Sequence, residues 1–150
     1  MIQRIQTIWF FLAALVLALM MFLPIVTKEV NQIIAAIHTS GLYIGNPPLK
    51  SESFLPLLIT NIAVSVIAFA NIFNFRRRSS QKRVAILNIA LIIGFAFWCS
   101  IYAKELPGGV DGASFGVGAY LPALAILFLI LGIFGINKDE RLIRSAERLR

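Results

Sequence analysis

Val84-Ala85-Ile86-Leu87-Asn88-Ile89-Ala90-Leu91-Ile92-Ile93-Gly94-Phe95-Ala96-Phe97-Trp98-Cys99-Ser100-Ile101-Tyr102-Ala103 holds no acidic, basic or histidine side chain. As a helix rising about 1.5 Å per residue it would measure about 30 Å, the depth of a bilayer's hydrocarbon core. Since one central charge costs about 2.5–3.5 kcal/mol on insertion scales, the absence of charge predicts a membrane span. Three more blocks have the same character, and together they predict spans at about 5–26, 54–75, 84–103 and 119–136. Across the 150 residues, 59% are hydrophobic and only 14% charged, where soluble domains carry about 25% charged residues. The composition excludes an ordinary soluble domain, and four spans leave no room for a second one. The expectation is an all-α integral membrane protein, a four-helix transmembrane bundle forming one domain over 1–150. A cleaved signal peptide is the rival reading of the first block. Its charge-free core, Ile8 to Val26, is too long for an h-region and no small-x-small site follows, so an uncleaved span is expected.

Lys and Arg set the orientation, because all the connections are short enough for the positive-inside rule. The N-terminus, the connection 76–83 and the residues after 136 carry 11 of the 14 basic residues. The other side has Lys28, Lys50 and Lys104 alone. Both termini are therefore expected in the cytoplasm, and Arg76, Arg77, Arg78, Lys82 and Arg83 read as an anchor on the anionic inner leaflet. Topology accounts for the pI of 10.2, so nucleic acid is not an expected partner.

On the outer side, 27–53 contains two β-prone runs around Ser40-Gly41, a turn dipeptide. This reads as a small hairpin over the bundle mouth, with a helical turn and a half at Ile33–Ile37 as the alternative. Asn46-Pro47-Pro48 is expected to end regular structure. The second outer connection has five glycines between 108 and 118, without the Lys-Ser/Thr of a phosphate loop, and reads as a pliable connector with a short strand at 113–117. Phe54-Leu55-Pro56 and Tyr120-Leu121-Pro122 both place proline where the first turn of a span is expected.

Chemistry is sparse. No ionisable group lies within a span, which disfavours a pump or ion-coupled carrier. Asn61 and Ser65, one turn apart on the second span, form the main intramembrane polar face. Hydrogen bonding between helices is its simpler role, with a path for a small neutral or lipid-like solute as the alternative. Ala63, Ala70, Gly94, Gly132 and Gly135 fit close helix approach. One histidine, His38, and one cysteine, Cys99, make neither a metal site nor a catalytic pair. No cofactor, metal or catalytic residue is expected.

The tail 137–150 is more informative. Leu142, Ile143, Ala146 and Leu149 share one helical face, with Arg141, Arg144 and Arg148 on the opposite one. Glu140 stands four residues before Arg144. This predicts a cytoplasmic amphipathic helix, lying on the inner leaflet or docking a cytoplasmic protein or larger membrane complex.

Met1-Ile2-Gln3-Arg4-Ile5-Gln6-Thr7-Ile8-Trp9 at one end and Asp139-Glu140-Arg141-Leu142-Ile143-Arg144-Ser145-Ala146-Glu147-Arg148-Leu149-Arg150 at the other resemble the bacterial family called domain of unknown function 4293. The resemblance extends over nearly the whole chain and implies a small bacterial inner-membrane protein, with no reaction or substrate attached. The functional expectation is a non-enzymatic accessory or scaffold subunit, with membrane lipids, a partner protein and further copies of the chain as its partners. The alternative is a carrier or channel.

Overall fold

The computed structural model describes residues 3–30 and 32–147. Four helices carry most of these: α1 (Gln3–Leu19), α2 (Leu55–Ile72), α3 (Arg78–Tyr102) and α4 (Val117–Glu147). Each packs on its neighbours in chain order, and α1 also packs on α4, so the four close a ring. On α2 the buried positions are Leu57, Asn61, Val64, Ala68 and Asn71, and on α3 Gln81, Ala85, Asn88, Ile92, Phe95 and Cys99. That spacing of three and four is the inward stripe of a helix. Outward positions are apolar as well, with Ile59, Val66, Phe69, Ile86, Leu87, Ile93 and Phe97 all exposed. Helices apolar all round belong in lipid or inside a larger protein. By length and composition α2, α3 and α4 are each able to cross a membrane, which marks the chain as a membrane protein.

The first block departs from its expected span at 5–26. Its helix ends at Leu19, and Val26 already begins a strand. Pro24 disfavours helical geometry in the residue before it, and Ile25-Val26-Thr27 is β-branched throughout, which favours extended chain. The ends of the third and fourth blocks also move. α3 begins at Arg78 inside the basic run, and α4 begins at Val117, so Pro122 lies inside the helix while Pro56 occupies its first turn as expected. No break separates the fourth span from the tail, because α4 is one helix of 31 residues. The amphipathic segment is its continuation, not a separate helix.

The chain is 67% helical but not all-α. The expected hairpin exists as β2 (Ile33–His38) and β3 (Gly41–Gly45), paired antiparallel from His38↔Gly41 to Ile34↔Gly45. It is the middle of a larger antiparallel sheet completed by β1 (Val26–Val30), β4 (Pro48–Ser53) and β5 (Ser114–Phe115), in the order β4-β3-β2-β1-β5. The prolines at 47 and 48 do not end regular structure. Pro48 opens β4 at the sheet's edge, where a missing N–H is tolerated. The sheet's apolar face runs across the strands as Val26, Ile37 and Leu42, all buried, and registered opposite one another. Gly41, at φ 149°, lies so close to the carbonyl of Glu52 that a Cβ would sit 2.0 Å from its oxygen.

Helices and sheet are joined where α4 begins. The Gly116 N–H donates to Ile25 O at 2.9 Å and the Gly118 N–H to Pro24 O at 3.0 Å. A Cβ on Gly116 would stand 2.2 Å from that proline oxygen, so only glycine permits the approach. Lower on the same seam, Gly132 faces Phe10 and Gly135 faces Gln6, each leaving room for a Cβ only at 2.9 Å. Gly132 and Gly135 thus act as the sequence suggested, by bringing helices close, whereas Ala63, Ala70 and Gly94 are exposed and a Cβ on Gly94 would meet nothing within 4 Å. Gly132→Ala should lower stability by about 1–3 kcal/mol through overpacking, and Phe10→Leu in the same chain should restore part of it. Thermal unfolding in mild detergent reads both, and strictly additive losses would place the strain elsewhere.

Candidate functional site

At the end of the bundle opposite the sheet, the α2–α3 turn, the start of α1 and the far part of α4 come together. The turn is made by a short 3-10 segment, Phe73–Arg76, and closed by reciprocal amides. Asn71 Nδ2 donates to Gln81 O and Gln81 Nε2 to Asn71 O, both at 3.1 Å. At the next residue of α3, Lys82 Nζ reaches across to α4, donating to Asn137 Oδ1 at 3.2 Å and Glu140 Oε2 at 2.8 Å. On the other flank of α4, Gln6 Nε2 of α1 donates to the carboxylate of Asp139, both side chains being 5% exposed. Three polar contacts therefore fix α4 between α1 and α3 just where it leaves the apolar zone.

These contacts change the reading of several residues. Lys82 is half-buried and engaged with α4, so it is a strut between helices and not a free leaflet anchor. Glu140 pairs with Lys82 in place of Arg144. Of the other basic residues, Arg77 and Arg83 are exposed and Arg78 is half-buried, and the side chain of Arg76 lies outside the described residues. On the α4 extension Arg141, Leu142, Ile143 and Arg144 are all exposed. Ala146 continues the helix, though its side chain, with Arg148 and Leu149, lies outside the described residues. The structure thus brings the described part of the predicted docking face together on one helix, at the basic end.

Asn61 and Ser65 stand elsewhere, well inside the bundle. Asn61 is 0% exposed, and among the described residues neither its amide atoms nor Ser65 Oγ has a partner. Asn88 Nδ2 donates to Val64 O at 3.3 Å, which gives it the interhelical role expected of intramembrane amides. Gln6 and Asp139 were the functional pair that sequence reading missed. The signal was present in Gln6, a lone amide interrupting an apolar block, but its partner is 133 residues away.

Energetically the two flanks of α4 differ. The Lys82–Glu140 pair is about a quarter exposed on each side, which limits it to the range of surface pairs, below about 1 kcal/mol. Gln6–Asp139 is buried and charge-assisted, and removing the donor leaves a carboxylate without compensation at a cost of about 1.5–3 kcal/mol. Gln6→Leu should therefore destabilise the purified protein clearly more than Lys82→Ala, as read by thermal unfolding in detergent. Equal losses would mean that the pair is not the main tie.

At the sheet end His38 is half-buried and packs edge-on to Tyr43, with ring centroids 4.9 Å apart. Burial lowers its pKa below the ordinary 6.5, because the charged form is poorly solvated there. The unfolded chain then binds a proton more readily than the folded one, so stability is full above about pH 6.5 and falls as pH drops toward the folded-state value. Melting temperature should decline over that window, and His38→Gln should flatten the decline. An identical slope in the variant would assign it to another group.

The ring of helices, three of them long and apolar enough to cross a membrane, with a polar clamp at one end and a sheet at the other, has the features of a membrane protein. The chain belongs to the family described as Domain of unknown function (DUF4293), whose model it matches over residues 2–149. Neither curated proteins nor solved structures gave a match.

Proposed function

We propose that the protein is a non-enzymatic accessory or scaffold subunit of the bacterial inner membrane, crossing it four times with both termini in the cytoplasm and docking a cytoplasmic partner on the extension of α4. The excess of basic residues at the clamp end supports that orientation. α1 is shorter than the other helices, its apolar part running Ile5–Leu19, and the turn at 20–22 brings the segment toward the about 17–25 residues that span.

The observation that carries the docking reading is the unbroken course of α4. From Ile136, the last fully buried apolar residue of the helix, Leu142 and Ile143 lie about 9–10 Å further along the axis. The headgroup layer on one side of a bilayer is about 5–8 Å deep. A helix held upright by the Gln6 and Lys82 contacts carries these residues beyond that layer instead of laying them on it. Leu142 is 49% and Ile143 44% exposed among the described residues, an apolar pair beside two arginines. Such a face suits a partner with an apolar groove rimmed by acidic residues.

A conduit for a small neutral solute is the second reading, favoured by the unpaired amide of Asn61. It is the weaker one because Leu57, Val64, Ile92 and Leu129 are at most 1% exposed, so a solute would have to part a closed core.

Crosslinking in cells followed by mild-detergent purification and mass spectrometry tests the docking reading. Truncation must spare Asp139 and Glu140, which the clamp uses, so the informative variants are Leu142→Glu with Ile143→Glu and a chain ending at Arg141. Both should insert normally and lose a stoichiometric partner that the full chain retains. Equal recovery from all three would overturn the role of the extension.

A further inference from the structure

Because α1 ends at Leu19, one end of the bundle lacks a fourth full-length helix, and the chain that replaces it leaves a gap. The gap is a cavity of about 180 Å³. Met20 and Val26, Ala96 and Cys99 of α3, and Ala119 and Pro122 of α4 line it, together with Phe115 of β5. Small side chains on both helices leave it open. Ser100 and Phe115, both exposed, mark its mouth on the outer surface of the α3–α4 pair. An apolar cavity of about 150 Å³ stays dry and takes a hydrocarbon guest such as benzene. This one is larger and opens onto the surface that the membrane reading gives to lipid.

The charge at its rim suggests what that guest is attached to. Lys104 follows Ser100 by four residues, so it stands about one turn above the mouth, where α3 passes into a 3-10 turn over Ala103–Glu105. It is exposed, and among the described residues no hydrogen bond or ion pair engages it. Lys28, on the strand beside β5, is taken up by the carbonyls of Gly108 and Gly109 at 2.9 and 3.0 Å, and Lys50 stands on β4 at the opposite edge of the sheet. An apolar slot with a single uncommitted cation at its polar end is complementary to a chain joined to an anion.

We propose that this cavity binds a segment of one acyl chain of an anionic phospholipid, with the phosphate against Lys104. The proposal rests on the membrane reading above. The bound chain completes the bundle where α1 stops short, filling contacts that would otherwise be lost between α3, α4 and the sheet.

Native mass spectrometry of the full chain, released from vesicles of phosphatidylcholine and phosphatidylglycerol, tests it. One phosphatidylglycerol should be retained per chain. Ala96→Phe, which puts a ring into the cavity, should abolish retention, and Lys104→Glu should reduce the phosphatidylglycerol-bound fraction by about fivefold, the effect of one basic residue at an anionic surface. A readout on the unaltered chain guards against misfolding of the variants. N-ethylmaleimide should modify Cys99 slowly with lipid present and faster once detergent has stripped it. Release from membranes with no lipid attached, a folded Ala96→Phe chain that keeps its lipid, or a Cys99 rate indifferent to lipid would each overturn the proposal alone. Recovery of the chain in the soluble fraction would overturn the membrane reading, and this proposal with it.

Discussion

The seam between the first and last helices holds the architecture together. It begins with Gln6 on Asp139, passes Gly135 and Gly132 under Gln6 and Phe10, and ends where Pro24 O accepts from Gly118. Without it α1 would contact only α2, and the ring would open into a sheet of helices. Each contact is of a kind that lipid does not weaken. Van der Waals packing over glycine needs no hydrophobic effect, and a hydrogen bond to a buried carboxylate is strengthened where water is scarce. The same seam brings β5 beside β1, so the sheet depends on it too.

That dependence separates what could be read in the sequence from what could not. Helices α2, α3 and α4 were legible because about 20 consecutive apolar residues without a charge match the thickness of a bilayer and are rare in soluble folds. The β2–β3 hairpin was legible because a turn dipeptide stands between two β-prone runs, and β5 because a short β-prone run lies in a glycine-rich connection. The end of α1 was hidden, since Leu23-Pro24-Ile25-Val26 is as apolar as the helix before it, and hydropathy does not distinguish a span from a strand packed against one. Strand β4 was hidden by its prolines. The pairing of Val26 with Phe115 joins residues far apart in the chain, which no local pattern announces.

The candidate site divides along the same line. The apolar and basic residues of the tail were found from spacing, which is local information. The clamp that aims the tail was not, because Lys82 and Glu140 belong to different helices, and each had a nearer reading: a leaflet anchor for one, a partner for Arg144 for the other. The correction alters function as well as structure. An amphipathic helix on a loose linker would settle on the nearest interface, and its arginines and leucines would both be satisfied by lipid. The same residues on a helix that is clamped on two sides cannot lie down without breaking the clamp, which supports the docking reading proposed above.

Polar groups are distributed along the bundle in a way that bears on the same question. Near the clamp end Asn71, Gln81, Gln6 and Asp139 are all buried and each makes one hydrogen bond to another segment, while Asn71 Oδ1 and one Asp139 oxygen have no partner among the described residues. Deeper in, Asn88 has one amide partner and Asn61 has none among the described residues. A protein that moves a solute needs polar groups with free hydrogen-bonding capacity along a continuous open path, where they replace the solute's hydration. Here Asn61 and Ser65 have that capacity among the described residues, but the core is closed by Leu57, Val64, Ile92 and Leu129, and the buried polar groups that pair between segments gather at the end that holds α4. Polar pairing that holds a helix at a fixed attitude supports the scaffold reading proposed above over the conduit.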